Sequence, residues 1–128
     1  MTTSILMVDD EPDAEVLFRQ NFRKEIRKKE LIFHFAQSGN DALDLICGDD
    51  APQILLLLSD INMPGMSGMD LLSEVKSRKP DLPVIMITAY GDEKTEAEAK
   101  AKGADQLVAK PVDFNFLKAT LNNYWVEN

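Results

Sequence analysis

Three acids, one hydroxyl and one ammonium carry the chemistry of this sequence: Asp9-Asp10, Asp60, Thr88 and Lys110, the last followed by Pro111. Each stands at the end of a short apolar run, so strands laid side by side would bring all five groups to one edge. Carboxylates held that close raise one another's pKa values or recruit a cation. Hard oxygen ligands with room left for water suit Mg²⁺. Three carboxylates and one lysine carry −2 in all, the charge that a single Mg²⁺ neutralises. Such a site is poised to receive a phosphoryl group whose oxygens meet the metal, the lysine and the hydroxyl. A carboxylate can also serve as the nucleophile and become an acyl phosphate. Asp60 is the candidate, because it stands alone at its strand end while Asp9 and Asp10 form a metal-binding pair.

The elements that must position these groups are legible as five apolar runs: Ile5–Val8, Leu31–Ala36, Ile54–Leu58, Val84–Ile87 and Leu107–Ala109. Most are unbroken, as expected of strands covered on both faces in a parallel sheet. Helical stretches lie between them. The first carries Phe18, Phe22 and Ile26 at intervals of four and reads as one extended helix. The second opens at Ser38-Gly39 with Ala42, Leu43, Leu45 and Ile46. The third carries Met69, Leu71, Leu72 and Val75 and stops before Pro80. The fourth, Asp92 to Lys102, is rich in strong helix formers and ends at Gly103, with Ala97, Ala99 and Ala101 as its thin apolar face. The fifth starts near an Asp113 cap and buries Leu117, Leu121 and Tyr124 or Trp125. Alternation of this kind, with right-handed crossovers, gives an open α/β sheet with helices on both faces. No repeat or linker interrupts it, so one domain is expected over residues 1–128.

Composition narrows the function classes. The chain has 128 residues, 45% hydrophobic and 28% charged, which is globular. Its net charge of −8 argues against direct nucleic-acid binding. The single cysteine suits a reducing cytosol, no secretory signal is read at the N-terminus, and the longest apolar run is too short for a membrane. A cytoplasmic protein is expected. Residues 19–29 nevertheless hold six of the fourteen basic side chains, opposed only by Glu25. They coat the outer face of the first helix, either as a solvated surface or as a docking surface for an acidic protein partner.

Five segments resemble the receiver domain of two-component response regulators, including its chemotaxis-type single-domain members: Ile5 to Pro12, Ala36 to Leu43, Ser59 to Gly68, Ile87 to Tyr90, and Ala109-Lys110-Pro111. Each is weak alone; five in order at compatible spacing are specific. The resemblance implies a flavodoxin-like (βα)5 three-layer sandwich with a five-stranded parallel sheet of order 2-1-3-4-5. It implies phosphotransfer onto Asp60 from a sensor histidine kinase or a histidine phosphotransfer protein. Mg²⁺ would be held by Asp10, Asp60 and the Asn62 backbone carbonyl, with Asp9 acting mostly through water. Thr88 and Lys110 would contact phosphoryl oxygens, small Ala89 would leave them room, and the Lys110-Pro111 bond would be cis. Gly65 and Gly68 suit the tight turn after Asp60. Asn62 and Tyr90 would set the phosphoryl lifetime. The surface of the fourth predicted helix, fifth strand and fifth predicted helix would switch, control a partner or output domain, and offer a route to homodimers. In this family the first helix meets the histidine-bearing helices of the kinase. Two departures stand out: Leu107 occupies a position where many members carry an aromatic switch residue, and the stretch from Asp10 to Gly39 is longer than usual.

Other readings compete. An aspartate-based phosphohydrolase would need an acid two residues beyond the nucleophile, where Asn62 stands, and neither it nor a flavin carrier finds a glycine-rich phosphate loop here. A receiver-like module that is never phosphorylated would not need the complete acid, threonine and lysine set. His34 reads as a strand residue and not a phosphodonor, Cys47 as an inert core thiol, and Met63, Met66 and Met69 as packing. The chain closes at Trp125 to Asn128 just after its last helix, as a stand-alone regulator would, or a piece cut from a longer one.

Overall fold

The computed structural model describes residues 3–49, 53–63, 65–89 and 93–125, with side chains to Leu121. Five strands are present: β1 (Thr3–Val8), β2 (Leu31–Ala36), β3 (Leu56–Asp60), β4 (Val84–Thr88) and β5 (Gln106–Ala109). All neighbours are parallel and the order is β2-β1-β3-β4-β5, the order expected. The flavodoxin-like α/β fold is thereby shown. The unbroken apolar runs have a simple use. Side chains alternate across a strand, so Leu6, Val8, Leu57, Val84 and Met86 feed one core while Ile5, Met7, Leu58, Ile85 and Ile87 feed the other.

Six helices cover the faces: α1 (Pro12–Asn21), α2 (Arg23–Arg27), α3 (Gly39–Cys47), α4 (Gly68–Arg78), α5 (Glu93–Ala101) and α6 (Phe114–Trp125). Their starts follow local chemistry. Pro12 opens α1, Ser38 and Ser67 accept from the amides of Asp41 and Asp70, and Asp113 accepts from those of Asn115 and Phe116. The faces predicted for α3 and α4 are buried, with Leu43 and Leu45 only half so.

Three expectations need correction. The third strand starts two residues later than the run Ile54–Leu58 and continues through Ser59 and Asp60. Its ladder opens at Leu56 opposite Ile5 and is carried by backbone groups that ignore the polar side chains. Among the three alanines of α5 only Ala99 is buried; Ala97 and Ala101 face solvent, because the first and last point away from the sheet. The first predicted helix is two helices. Phe22 leaves the helical region at φ −108°, ψ 18°, while the Asn21 side-chain Nδ2 donates to the Leu17 carbonyl at 2.9 Å and competes for a main-chain acceptor. The Phe22 ring is wholly buried among Phe18, Phe33 and Phe114, so packing fixes the break. All but one of the six basic residues consequently belong to α2 and the turn after it, not to a continuous face. Tyr90, Asp92 and the side chains of Tyr124 and Trp125 lie outside the described residues.

Candidate functional site

Strand register assembles the site. Val8 lies opposite both Ala36 and Ser59, Asp60 opposite Ile87, and Thr88 opposite Ala109. Asp9 and Asp60 therefore emerge at the same level, Thr88 one step beyond and Lys110 one step beyond Ala109. Asp9, Asp60 and Thr88 are buried and Asp10 half-buried. One carboxylate oxygen from each of Asp9, Asp10 and Asp60 lies within 4.8 Å of the other two. Lys110 Nζ sits 3.3 Å from Asp60 Oδ2 and 3.6 Å from Asp9 Oδ2, and the Lys110-Pro111 peptide is cis.

The backbone holds the remaining oxygens. The Glu11 amide donates to Asp9 Oδ1 at 3.0 Å, and the Asn62 amide to Asp60 Oδ1 at 3.3 Å. Exposed Ala89 and Asn62, with Asp10, Glu11, Asp60 and Lys110, line an open cavity of about 510 Å³ over the carboxylates.

The electrostatics are those of an acidic cluster with one internal cation. Burial pushes the Asp9 carboxyl above its ordinary range, and the charges of Asp60 and Asp10 act the same way against the Glu11 amide and Lys110. Burial is also the largest single influence on Lys110 and would lower its pKa. The carboxylates of Asp60 and Asp9, together with the hydrogen bond to Asp60, outweigh it and hold the ammonium above its usual range. One lysine does not balance three carboxylates. Oxygen-only donors, converging and partly open to water, fit a hard divalent ion of the Mg²⁺ type.

Two residues escaped the sequence reading of the site. Ser59 is wholly buried and its hydroxyl donates to the Asp60 carbonyl at 3.0 Å. The only signal was a polar residue at the close of an apolar run. Gly68 was read as a turn glycine, yet a Cβ there would lie 2.1 Å from the Asp60 carbonyl oxygen, so its role is close approach of α4 to β3. Gly65, at φ +73°, does serve the turn. Leu107 is half-buried and packs towards the α3–α4–α5 core. His34 is half-buried on the edge strand, and burial followed by Arg19 lowers its pKa.

The response regulator receiver domain model matches residues 5–122. The chain belongs to this family. As a receiver domain it is 33% identical over 117 residues to the regulatory protein LuxO of Vibrio cholerae, a match covering 91% of this chain and 24% of LuxO. The chain thus spans about a quarter of the curated relatives it resembles in this way. The response regulator TrrA of Thermotoga maritima, solved in complex with Mg²⁺-BeF, superposes with a TM-score of 0.79 at 29% identity, covering 96% of this receiver domain and 99% of TrrA. The signal receiver domain of an HD domain-containing protein from Pseudomonas fluorescens Pf-5 gives a TM-score of 0.84 at 25% identity, with 97% and 94% covered. Among the described residues no helix is long and apolar enough to cross a membrane.

Proposed function

We propose that the chain, taken as one receiver domain over residues 1–128, accepts a phosphoryl group on Asp60 from a phosphohistidine of a sensor kinase or phosphotransfer protein. The observation that carries the reading is the convergence of three carboxylates within 4.8 Å around a lysine 3.3 Å from Asp60. An Asp60 carboxylate oxygen attacks phosphorus, the P–O bond forms as the P–N bond breaks, and the imidazole nitrogen leaves with the electron pair. Asp9, Asp10, Asp60 and the Asn62 carbonyl would hold Mg²⁺, which supplies positive charge to the phosphoryl oxygens. Lys110 gives up its contact with Asp60 to a phosphoryl oxygen, Thr88 donates its hydroxyl to another, and Ala89 leaves space for the group. Asn62, which lines the cavity, governs access of hydrolytic water and hence the lifetime, a role the family likeness also gives to Tyr90.

The seat for the histidine-bearing helix is beside the acceptor. An apolar groove of about 770 Å³ runs between α1 and the segment after Lys110, lined by Leu17, Phe18, Pro111, Val112 and Phe114, and reaching Asp9. The output is a change in the α5–β5–α6 surface, read by a partner or output domain or by a second copy. α5 buries little beyond Ala99, so its displacement costs little. Without an aromatic at Leu107, repacking of an aliphatic side chain replaces an aromatic rotamer change. The test is intact-mass analysis after incubation with Mg²⁺ and a small acyl phosphate, beside Asp60→Asn. No phosphoryl adduct on the parent, or an undiminished adduct on the variant, overturns the proposal.

A further inference from the structure

The basic residues are not where the kinase must reach. β1 ends at the acid cluster, α1 runs back from it for ten residues, and α2 follows at the opposite, amino-terminal end of the sheet. At about 1.5 Å per residue this places α2 roughly 15 Å down the molecule from Asp60. Residues 19–29 carry a net +5 on a chain whose total is −8, which leaves −13 for everything else. Four of its six cations have no ion pair among the described residues, while Arg19 is bridged to Glu15 at 3.0 Å. Arg23, Lys24, Arg27 and Lys28 are exposed, and among the described residues none has an acid within ion-pairing distance. Glu25, the only acid in the stretch, turns inward to Lys118 of α6 at 3.3 Å and so does not pair with the exposed cations of α2.

The backbone is strained at a further cation of the stretch. Lys29 lies at φ +61°, the position after α2 where glycine is at ease, with its amide bonded to the Ile26 carbonyl and that of Glu30 to Glu25. A lysine there costs about 1 kcal/mol relative to glycine. Between the cations lies an apolar floor. Val16 is 55% exposed, and with Arg19, Gln20, Arg23, Ile26 and Arg27 it lines a groove of about 460 Å³. Arg19 and Ile26 also border a second groove of about 300 Å³, which continues to Ile32, 47% exposed on the edge strand β2.

We propose that this strip, from Val16 across α2 to Ile32, is a second docking site for an acidic protein segment with apolar anchor side chains. The size of the anion decides among anionic partners. Charges are felt over about 8 Å at physiological salt, so a short acidic segment lying on the strip meets mainly the +5 of residues 19–29, lowered to +4 by Glu30 within the strip. A nucleic-acid duplex or a membrane is larger than the domain and would also meet the surrounding −13. The groove floor then gives leucine-like side chains a place that a plain polyanion cannot use. The site is separate from the kinase groove and does not depend on phosphorylation of Asp60.

The probe is a synthetic peptide of Asp and Glu with Leu at every fourth position, titrated into the isotope-labelled chain and followed by amide NMR shifts. Saturable shifts confined to residues 16–33 are expected. Arg23→Glu/Arg27→Glu should weaken the interaction tenfold or more, in line with charge pairs across an interface, and Arg23→Ala/Arg27→Ala by less. Val16→Asp or an all-polar acidic peptide should weaken it as well. All these positions are exposed, and adduct formation with a small acyl phosphate should be unchanged in every variant, which separates this proposal from the reading of Asp60. No shifts in the strip, insensitivity to the charge reversals, or tighter binding to anionic vesicles or duplex DNA than to the peptide would overturn it.

Discussion

Replacing Gly68 by alanine sets two physical effects of opposite sign against each other at the foundation of the site. Gly68 is the first residue of α4, after the Ser67 cap, where alanine should gain up to about 1 kcal/mol by helix propensity. Against this, the new Cβ would lie 2.1 Å from the Asp60 carbonyl oxygen, 2.6 Å from Ile61 Cα and 2.9 Å from the Asp60 carbonyl carbon. The first contact is about 0.9 Å short of the 3.0 Å below which real Cβ contacts essentially never fall. All three opposing atoms are backbone. They are pinned by the pairing of Asp60 with Ile87, by the Ser59 hydroxyl and by the Gly68 amide on the Ile61 carbonyl at 2.8 Å, so no side chain can rotate away. Overpacking against a fixed backbone costs roughly 1–3 kcal/mol and here belongs at or above the top of that range. The net expectation is a loss of about 2 kcal/mol, or roughly 6–10 °C in Tm for a domain of this size. Because relief comes only by moving Asp60, Mg²⁺ affinity and adduct formation should fall together with stability. Gly65→Ala is the control: nothing lies within 4 Å of its Cβ, and only its φ of +73° opposes the change. It should cost about 1 kcal/mol and leave Mg²⁺ affinity nearly intact. Thermal melts and Mg²⁺ calorimetry read both variants. A Gly68→Ala protein as stable as the parent with unaltered Mg²⁺ affinity would refute the reasoning.

Lys110→Met removes the one cation that pairs with Asp60 and Asp9 among the described residues, so Mg²⁺ should bind several-fold more tightly by calorimetry while the phosphoryl adduct accumulates less; weaker Mg²⁺ binding would contradict the charge balance given above. Stripping Mg²⁺ with chelator should abolish adduct formation while leaving the circular dichroism spectrum in place, since the three carboxylates lie at the sheet edge and belong to neither apolar core. Phe22→Ala empties a wholly buried ring position and should cost about 3–5 kcal/mol in urea unfolding. His34, whose pKa burial and Arg19 depress, favours folding in its neutral form. Its contribution is whole above the ordinary pKa of 6.5 and declines as pH falls through the lower folded value. His34→Gln should flatten that part of the urea-midpoint profile, and an unchanged acid limb would remove histidine from the account.

The fold was legible because each buried strand presents apolar residues to two cores at once, and an unbroken run such as Val84 to Ile87 has no other economical use. The candidate site was legible for the same reason: once the runs are strands, the polar residues that close or follow them share an edge. What escaped was set by contacts that leave no period in the sequence. Phe18, Phe22 and Ile26 keep their four-residue spacing straight through the break at Phe22, so the interruption, and with it the true location of the basic residues, is invisible to a pattern. The contact of Gly68 with Asp60 joins two residues eight positions apart, in different elements. The burial of Ser59 depends on its hydroxyl finding a carbonyl, which residue type alone does not announce.

The two cores that the sheet divides are built of different materials. Phe18, Phe22, Phe33 and Phe114 interlock ring on ring on the α1–α2–α6 side, with Phe35 stacked on Phe33. The α3–α4–α5 side has no ring among its described buried residues; Met63, Met69 and Met86, with Met66 against them, lie there among leucines, valines and isoleucines. Rings resist rearrangement, whereas thioethers slide through many rotamers at little cost. The molecule therefore has a stiff flank and a compliant one, and the acid cluster lies on the seam. A push delivered at that seam does not spread evenly. Under the proposed function it would be taken up by the compliant flank, where α5 is lightly held, while the stiff flank would keep the groove beside α1 and the cationic end in one shape.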